Sequence, residues 1–161
     1  MRVVVTGDTH LGPRRRGPLP AALLLACAAA DQIVHAGDVT DPGLLVELAA
    51  LAPVSAVRGN CDGLELGLPD QRELELAGVQ IGVVHEPGPA HGRAERLREC
   101  FPGCRVIVFG HTHWPICEES DDGVLLLNPG SPTDRRRAPW PSYASLELGD
   151  GRVDARIVRL P

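Results

Sequence analysis

The sequence predicts an α/β domain, and two patterns support this prediction. Between residues 2 and 58, short β-branched apolar runs alternate with two stretches rich in Ala and Leu, which indicates the order βαβαβ. Beyond residue 70, apolar and polar residues alternate on either side of Gly-containing turns, which predicts hairpins with one further helix between them. A chain of 161 residues can bury a substantial core, so we expect one domain over residues 1–161.

The composition narrows the classes of partner. The net charge of −5 argues against a nucleic-acid coat or an anionic membrane surface, so neither nucleic acid nor membrane is an expected partner. No apolar run is long enough to cross a bilayer, and Met1-Arg2 leads directly into a strand rather than a signal peptide. The five cysteines form no disulfide framework, which indicates reduced thiols and a cytoplasmic location. The number of subunits stays open, and a homo-oligomer is one alternative.

The first strand is predicted over Arg2–Thr6 and ends in Gly7-Asp8-Thr9-His10. A carboxylate and an imidazole two residues apart could hold one divalent cation, whereas a lone Asp could instead cap the following turn. The loop over residues 11–17 contains Arg14–Arg16, which is either a solvated charge run or a mobile basic flap near an anionic substrate.

The first helix is predicted over Pro18–Ala30, with a proline in its first turn. The second strand, residues 31–36, leads into Gly37-Asp38, and His35 within it is interpreted as a packed core histidine. Asp38 is the natural candidate to bridge two metal ions, because a carboxylate has two oxygens.

The second helix is predicted to begin at Asp41-Pro42, with Asp41 as N-cap, and to run to about Ala52. The third strand, residues 53–58, is followed by Gly59-Asn60-Cys61-Asp62. Asn60 offers a neutral oxygen to a metal or a phosphate, although an asparagine after glycine is also common in turns.

A hairpin with a turn at Ala77-Gly78 is predicted over residues 72–83, and its second strand leads to His85-Glu86. His91 is the alternative for the same role, but it lies in a Gly/Pro loop with no strand to orient it, so we favour His85. A short amphipathic helix over residues 93–101 then precedes the next strand.

The strand over residues 104–108 ends in Phe109-Gly110-His111-Thr112-His113. Residues two apart on an extended segment point the same way, so both histidines are expected to face one cavity. The carboxyl end of a strand is also where an open α/β sheet binds ligands. Two more hairpins are predicted, over residues 116–127 and 143–160, and between them lies Asn128-Pro129-Gly130-Ser131, a turn whose backbone N–H groups could face an anion.

Each of seven candidate ligands lies at or just past the end of a predicted strand. They are Asp8, His10, Asp38, Asn60, His85, His111 and His113. Their oxygen and nitrogen donors favour Mn, Fe, Zn, Ni or Co over a thiolate zinc site or an all-oxygen Mg or Ca site. Seven ligands are too many for one ion and suit two divalent ions that share Asp38. With two carboxylates and a hydroxide, such a pair keeps a net charge of about +1, which attracts phosphate.

The ordered motifs resemble those of the calcineurin-like metallophosphoesterases, and in particular the small bacterial and archaeal phosphodiesterases, whose fold the retromer small subunit shares. The resemblance runs from Met1 to about Ser131 and rests on the two Gly-Asp motifs, Gly59-Asn60-Cys61-Asp62, the strand-end His85 and Gly110-His111-Thr112-His113. It implies a two-sheet β-sandwich flanked by helices in four layers. It also implies a phosphodiesterase that hydrolyses a small-molecule phosphate ester with a metal-bridging hydroxide, Mn being the favoured metal.

The resemblance also implies residue roles. Asp8, His10, Asp38 and His113 would hold the first metal, and Asp38, Asn60, His85 and His111 would hold the second. Asn60 would also contact the substrate phosphate, and Asp38, Asn60 and His85 are the expected catalytic residues.

Two positions depart from the family pattern. Cys61 stands where many members have a histidine that acts as general acid, and a thiol with an unperturbed pKa of about 8.5 donates a proton poorly. Glu86 stands where the family usually has glycine and adds a negative charge near the phosphate pocket. The alternative function is a protein-interaction scaffold on the same fold. A scaffold need not retain all seven donors, and this chain has them all.

Overall fold

Two five-stranded sheets lie face to face, and helices cover their outer surfaces. The computed structural model describes residues 1–12 and 18–161, so the predicted basic flap at Arg14–Arg16 lies outside the described residues. The strands are, in chain order, β1 (Arg2–Thr6), β2 (Gln32–His35), β3 (Val54–Ala56), β4 (Gln71–Leu76), β5 (Val79–Val84), β6 (Val106–Phe109), β7 (Ile116–Glu119), β8 (Leu125–Asn128), β9 (Ser142–Gly149) and β10 (Arg152–Arg159). The helices are α1 (Ala21–Ala28), α2 (Pro42–Ala49) and α3 (Arg93–Cys100).

Parallel strands occupy the middle of both sheets. The first sheet has the order β10-β9-β1-β2-β3, in which β1, β2 and β3 are parallel. The second has the order β4-β5-β6-β8-β7, in which β5, β6 and β8 are parallel. Each sheet therefore contributes three carboxyl-terminal strand ends, which is where α/β sheets place their ligands.

The central layer of the core is built from strand residues at every second position. Val3 and Val5 of β1 belong to the same fully buried cluster as Ile81, Val106 and Val108 of the second sheet. Helices α1 and α2 pack on the outer face of the first sheet, and α3 packs on that of the second. The predicted two-sheet sandwich with four layers is confirmed.

The helices are shorter than the sequence predicts. Helix α1 begins at Ala21 because Pro20 takes the N-cap position, where its backbone is extended, instead of a place in the first turn. Helix α2 begins as predicted, with the Asp41 side chain accepting a hydrogen bond from the Gly43 N–H at 2.9 Å, but it ends at Ala49. None of the helices among the described residues is long and apolar enough to cross a membrane.

His35 is a packed core histidine, as predicted. Its side chain is fully buried, its Nε2 lies 3.1 Å from the Thr9 hydroxyl, and its Nδ1 accepts a hydrogen bond from the Gly37 N–H. Burial lowers its pKa to about 4, so the ring is neutral at physiological pH. The side chain of His35 thus contacts the loops after β1 and β2 and helps to hold them in place.

Candidate metal centre

All seven predicted ligands meet at one rim of the sandwich, each in the loop that follows a parallel strand. Asp8 and His10 follow β1, Asp38 follows β2, Asn60 follows β3, His85 follows β5, and His111 and His113 follow β6. Backbone hydrogen bonds tie these loops together: the Asp8 N–H donates to Gly37 O, and the Gly110 N–H donates to His85 O. His91 lies in an exposed loop and belongs to none of the ligand clusters in the described chain.

The first half-site consists of Asp8, His10 and His113. The Nε2 atoms of His10 and His113 are 3.1 Å apart, and His113 Nε2 is 3.4 Å from Asp8 Oδ1. These separations let the three side chains bind one ion together, since one ligand atom from each residue lies within 4.8 Å of those from the other two.

The second half-site consists of Asn60, His85 and His111. Asn60 Oδ1 lies 3.0 Å from His85 Nε2 and 2.8 Å from His111 Nδ1. His111 and His113 thus turn to different half-sites, whereas a two-residue spacing on an extended segment would point both side chains the same way. The physical reason is that the segment is not extended, because φ is +68° at His111 and +58° at His113.

Asp38 lies between the two half-sites. Its Oδ1 accepts a hydrogen bond from the Cys61 N–H at 2.8 Å, so this oxygen already has a partner. Its Oδ2 lies 3.5 Å from His10 Nε2 and 3.4 Å from His85 Nε2. A single carboxylate oxygen, instead of one oxygen for each half-site, therefore faces both half-sites.

Main-chain carbonyl groups orient two of the histidines. His85 Nδ1 donates to Ala36 O at 2.7 Å, and His113 Nδ1 donates to Asp134 O. Because a carbonyl oxygen only accepts, Nδ1 carries the proton in both rings and Nε2 is the nitrogen left to face the centre. This is the outer-shell arrangement that fixes metal-binding imidazoles.

The buried carboxyl of Asp8 indicates that the centre is built to receive a positive charge. Its side chain is fully buried, and Oδ2 has no hydrogen-bond partner among the described residues. Burial, together with the charge of Asp38, raises the pKa of Asp8 to about 7 despite the lowering influence of His85. A divalent cation would satisfy this oxygen and offset its desolvation, so the donor set fits metal ions.

The pKa values of His85, Asp38 and His113 are also shifted. Burial lowers the pKa of His85, but the hydrogen bond and charge of Asp38 raise it more, so its net pKa lies above the usual value. Burial likewise raises the pKa of Asp38, but His85 outweighs it and holds that pKa well below its usual range. The pairing of His85 with Asp38 therefore favours the charged forms of both side chains. In contrast, burial lowers the pKa of His113 to about 4, which leaves its nitrogen free to bind a metal.

Metal-free Asp8→Asn protein is expected to gain stability relative to metal-free wild type as pH rises. The pKa of Asp8 is about 7 in the folded state and 3.8 in the reference state, so folding disfavours its charged form. The resulting destabilisation is absent below pH 4, grows between pH 4 and pH 7, and is complete above pH 7, where it is on the order of a few kcal/mol. The measurement is the melting temperature of both proteins in chelator across this range.

The control for Asp8→Asn is the same comparison with saturating Mn²⁺. Wild type should then be the more stable protein, because a ligand that binds only the folded state stabilises it. Asn keeps the oxygen that accepts the His111 N–H at 3.1 Å, so the substitution removes charge rather than this contact. The prediction would be contradicted if the difference in melting temperature between the two proteins in chelator stays constant from pH 4 to pH 7.

The backbone of the centre is strained. Five of the seven ligand residues, namely Asp8, His10, Asp38, His111 and His113, have φ between +46° and +68°. Non-glycine residues rarely adopt this left-handed conformation, and such strain concentrates at functional sites. Two glycines make room for the same loops, since a Cβ on Gly59 would lie 2.1 Å from Asp38 Oδ1 and one on Gly37 would lie 2.7 Å from His85 Nδ1.

Both positions that depart from the family pattern lie at the centre. One potential ligand atom each of His10, Asp38 and Cys61 lies within 4.8 Å of the others, although the seven predicted ligands include no sulfur donor. Burial and the charge of Asp38 raise the pKa of the Cys61 thiol to about 11, so it stays protonated at neutral pH. Glu86 is exposed and lines a groove of about 250 Å³ beside the second half-site, together with Arg58, Asp70 and Asn60.

The segment after β8 supports the centre in a way that the sequence did not indicate. From the sequence, backbone N–H groups around Asn128-Pro129-Gly130-Ser131 could face an anion. Instead, the Gly130 N–H donates to Asn128 Oδ1, and the Asp134 N–H donates to Ser131 Oγ. Ser131 Oγ in turn donates to Asp8 O at 2.8 Å, so this segment holds the loop after β1.

Comparison with known proteins gives concordant matches in sequence. The calcineurin-like phosphoesterase superfamily domain matches residues 1–151. A probable metallophosphoesterase from Methanothermobacter thermautotrophicus is 38% identical over 99% of this chain and 92% of that protein. Another from Methanocaldococcus jannaschii is 39% identical over 98% of this chain and 81% of that protein.

A solved structure extends the likeness to the fold. The Vps29 protein of Entamoeba histolytica, determined in complex with Zn²⁺, superposes with a TM-score of 0.80 at 24% identity. The match covers 99% of each chain. At this identity the likeness concerns the architecture of two sheets and flanking helices.

Proposed function

The chain belongs to the calcineurin-like phosphoesterase superfamily, and from that premise we propose that it is a phosphodiesterase with two divalent metal ions. The observation that carries the proposal is the position of Asp38. Its Oδ2 has histidine nitrogens of both half-sites at 3.4–3.5 Å, as an oxygen shared by two cations would. A second observation supports it: each half-site has enough oxygen and nitrogen donors for one ion.

Each half-site is assigned one metal. Asp8, His10 and His113 would hold the first ion, Asn60, His85 and His111 would hold the second, and Asp38 would contact both. The donors suit Mn²⁺, the metal we favour, as well as Fe, Zn, Ni or Co. Bound at this position, a metal pair supplies a nucleophilic hydroxide at neutral pH and neutralises charge on the phosphoryl oxygens. Asn60, at the groove, also has an amide that can donate to a phosphoryl oxygen.

The chain's own residues limit which leaving groups depart easily. Cys61 stands where a general acid would act, and its pKa of about 11 makes it a weak proton donor. His91, the remaining histidine outside the ligand set and the core, lies in an exposed loop away from the ligand clusters of the described chain. Esters whose leaving group needs no protonation should therefore be the better substrates.

The groove beside the second half-site favours substrates with one negative charge. Glu86 lines it with an exposed carboxylate, and Asp70 contributes a second carboxylate that is paired with Arg58. A phosphodiester carries one negative charge, whereas a monoester carries nearly two at neutral pH. Glu86 should therefore repel a monoester more strongly than a diester.

Wild type with Mn²⁺ is expected to cleave an aryl diester, bis(4-nitrophenyl) phosphate, faster than an alkyl monoester such as glycerol phosphate. Both the missing general acid and Glu86 act in this direction. The measurement is kcat/KM for the two esters, and the expected ratio is at least about 100 because general acid catalysis contributes factors of this size. A preference for the monoester would contradict the proposal.

The contribution of Glu86 is separable from that of the missing acid. Glu86→Gln removes the charge and should improve monoester cleavage several-fold while leaving the aryl diester nearly unchanged. Glu47→Gln, on the exposed face of α2, is the matched control and should alter neither rate. An unchanged monoester rate in Glu86→Gln would assign the whole preference to the missing acid.

Hydrolysis is favoured over the alternative of an interaction scaffold, which the likeness to Vps29 raises. All seven donors converge within two half-sites, and a scaffold has no need of them. We also retain a single domain over residues 1–161 and a cytoplasmic location as part of the proposal. In support of the cytoplasmic location, all five cysteines are free, and three of them, Cys61, Cys100 and Cys117, are exposed.

A further inference from the structure

The segment from Ser131 to Ala138 forms one wall of the first half-site. Ser131 Oγ donates to Asp8 O, and Thr133 Oγ1 donates to Thr9 O at 2.7 Å. Asp134 O accepts the hydrogen bond of His113 Nδ1. These three contacts fix the segment to the loops that carry the predicted ligands, so its side chains are positioned relative to the centre.

Arg136 is the residue of this segment with an unusual backbone. Its φ is +46°, and its N–H donates to Asp134 Oδ1 at 3.3 Å. Its Nε lies 3.6 Å from Asp134 Oδ2, and both side chains are about half exposed, at 49% and 48%. An exposed pair at this distance contributes little to stability, and most of the guanidinium's five N–H donors stay available.

The charge of Arg136 reaches the centre. Burial is the largest influence on the pKa of Asp8, His10 and His113, but the charge of Arg136 lowers all three as well. It also acts to lower the pKa of Cys61. The geometry gives the same placement: Asp134 accepts from His113 through its carbonyl oxygen, and its carboxylate lies 3.6 Å from Arg136 Nε, so the guanidinium is held beside the first half-site.

The neighbouring arginines are placed differently. The Arg135 guanidinium donates a hydrogen bond from Nη1 to Ala138 O, so it contacts the backbone of its own segment. Arg137 is exposed, its side chain makes no hydrogen bond or ion pair within the described residues, and its charge is not among the leading influences on the pKa values of Asp8 and His113. Arg136 is thus distinguished by geometry from two residues of identical chemistry beside it.

We propose that Arg136 is a substrate-binding residue that donates hydrogen bonds to the phosphate from the solvent side of the first half-site. The proposal rests on the proposed phosphoesterase function and adds to it the group that selects for anionic substrates. A phosphate oxygen would replace Asp134 Oδ2 as acceptor, and guanidinium can contact phosphate through two parallel N–H bonds. Glu86 beside the second half-site repels anions, so the two residues orient the phosphate toward the Arg136 side.

Arg136→Gln is expected to weaken binding of inorganic phosphate to the Mn²⁺-loaded protein about tenfold, measured by isothermal titration calorimetry. It should raise KM for bis(4-nitrophenyl) phosphate by a similar factor with a much smaller change in kcat. Arg136→Lys keeps the positive charge but lacks the parallel N–H donors of the guanidinium, so it should recover part of the phosphate affinity. Arg137→Gln is the matched control and should behave as wild type in both assays. Metal content of all variants should be unchanged.

The outcomes separate this inference from the proposed function. Equal phosphate affinity in wild type and Arg136→Gln, or equal losses in Arg136→Gln and Arg137→Gln, would overturn the role of Arg136 while leaving ester hydrolysis intact. Absence of phosphate binding in wild type would also overturn it. If wild type binds phosphate with Arg136 dependence but hydrolyses no ester, the proposed function fails and the anion-binding role stands.

Discussion

Asp38→Asn is expected to remove both metal ions together and to reduce phosphodiester cleavage at least 1000-fold, on the order of 4 kcal/mol in transition-state free energy. The reason is that a single oxygen, Asp38 Oδ2, faces His10 and His85 of different half-sites. Asn retains the oxygen that accepts the Cys61 N–H, so the loops should keep their positions. It replaces the shared oxygen Oδ2 and the negative charge by an NH2 group, which does not bind a cation.

The measurement for Asp38→Asn is the metal content after dialysis, together with kcat/KM for bis(4-nitrophenyl) phosphate. Asp154→Asn is the control, because this exposed carboxylate on β10 is remote from the rim that carries the ligands. Circular dichroism should confirm that both variants are folded. Two metal equivalents held by Asp38→Asn at wild-type affinity would exclude the shared oxygen.

His113→Ala and His85→Ala are each expected to remove one metal, leaving about one equivalent, and the double variant should bind neither. His113 belongs to the first half-site and His85 to the second, and each ring is fixed by a carbonyl group behind it. Loss of a ligand costs more than loss of an orienting group, whose removal typically costs 10- to 100-fold in metal affinity, so activity should fall at least about 100-fold.

Metal titration of the three histidine variants tests the division into half-sites. Because His85 and His113 are 2% and 1% exposed, each alanine leaves a buried space, and melting temperatures should be compared in chelator to isolate this cost. His91→Ala, in an exposed loop, is the control and should retain two equivalents. If either single variant loses both metals, the two half-sites bind cooperatively and the division is wrong.

The positions of the ligands in the chain were predictable because they follow from strand ends. A strand such as β1 or β6 has a recognisable apolar pattern, and parallel strands bring their carboxyl ends to one edge. Hence Asp8 and His113, 105 positions apart in the sequence, could be placed at one site before the structure was known. The core role of His35 was predictable for the same reason, since it lies inside a strand rather than after it.

The arrangement of donors within the centre does not follow from the strand ends, and its division into two half-sites rested on the family resemblance alone. The separation of His111 from His113 depends on left-handed backbone torsions that no residue type signals, since both are histidines. The groups that orient His85 and His113 are main-chain carbonyls of Ala36 and Asp134, which any residue could supply. In the segment after β8, the hydroxyl groups of Ser131 and Thr133 are side chains suited to their contacts with the loop after β1.

The distribution of ligands over the two sheets has a mechanical consequence. Asp8 and His10 come from the first sheet and His113 from the second, while Asn60 comes from the first and His85 and His111 from the second. An ion in either half-site would therefore be bound by residues of both sheets and would connect the two sheets at the rim. Separation of the sheets there would require rupture of coordination bonds as well as loss of apolar packing, and amide hydrogen exchange next to the rim would slow when metal is added.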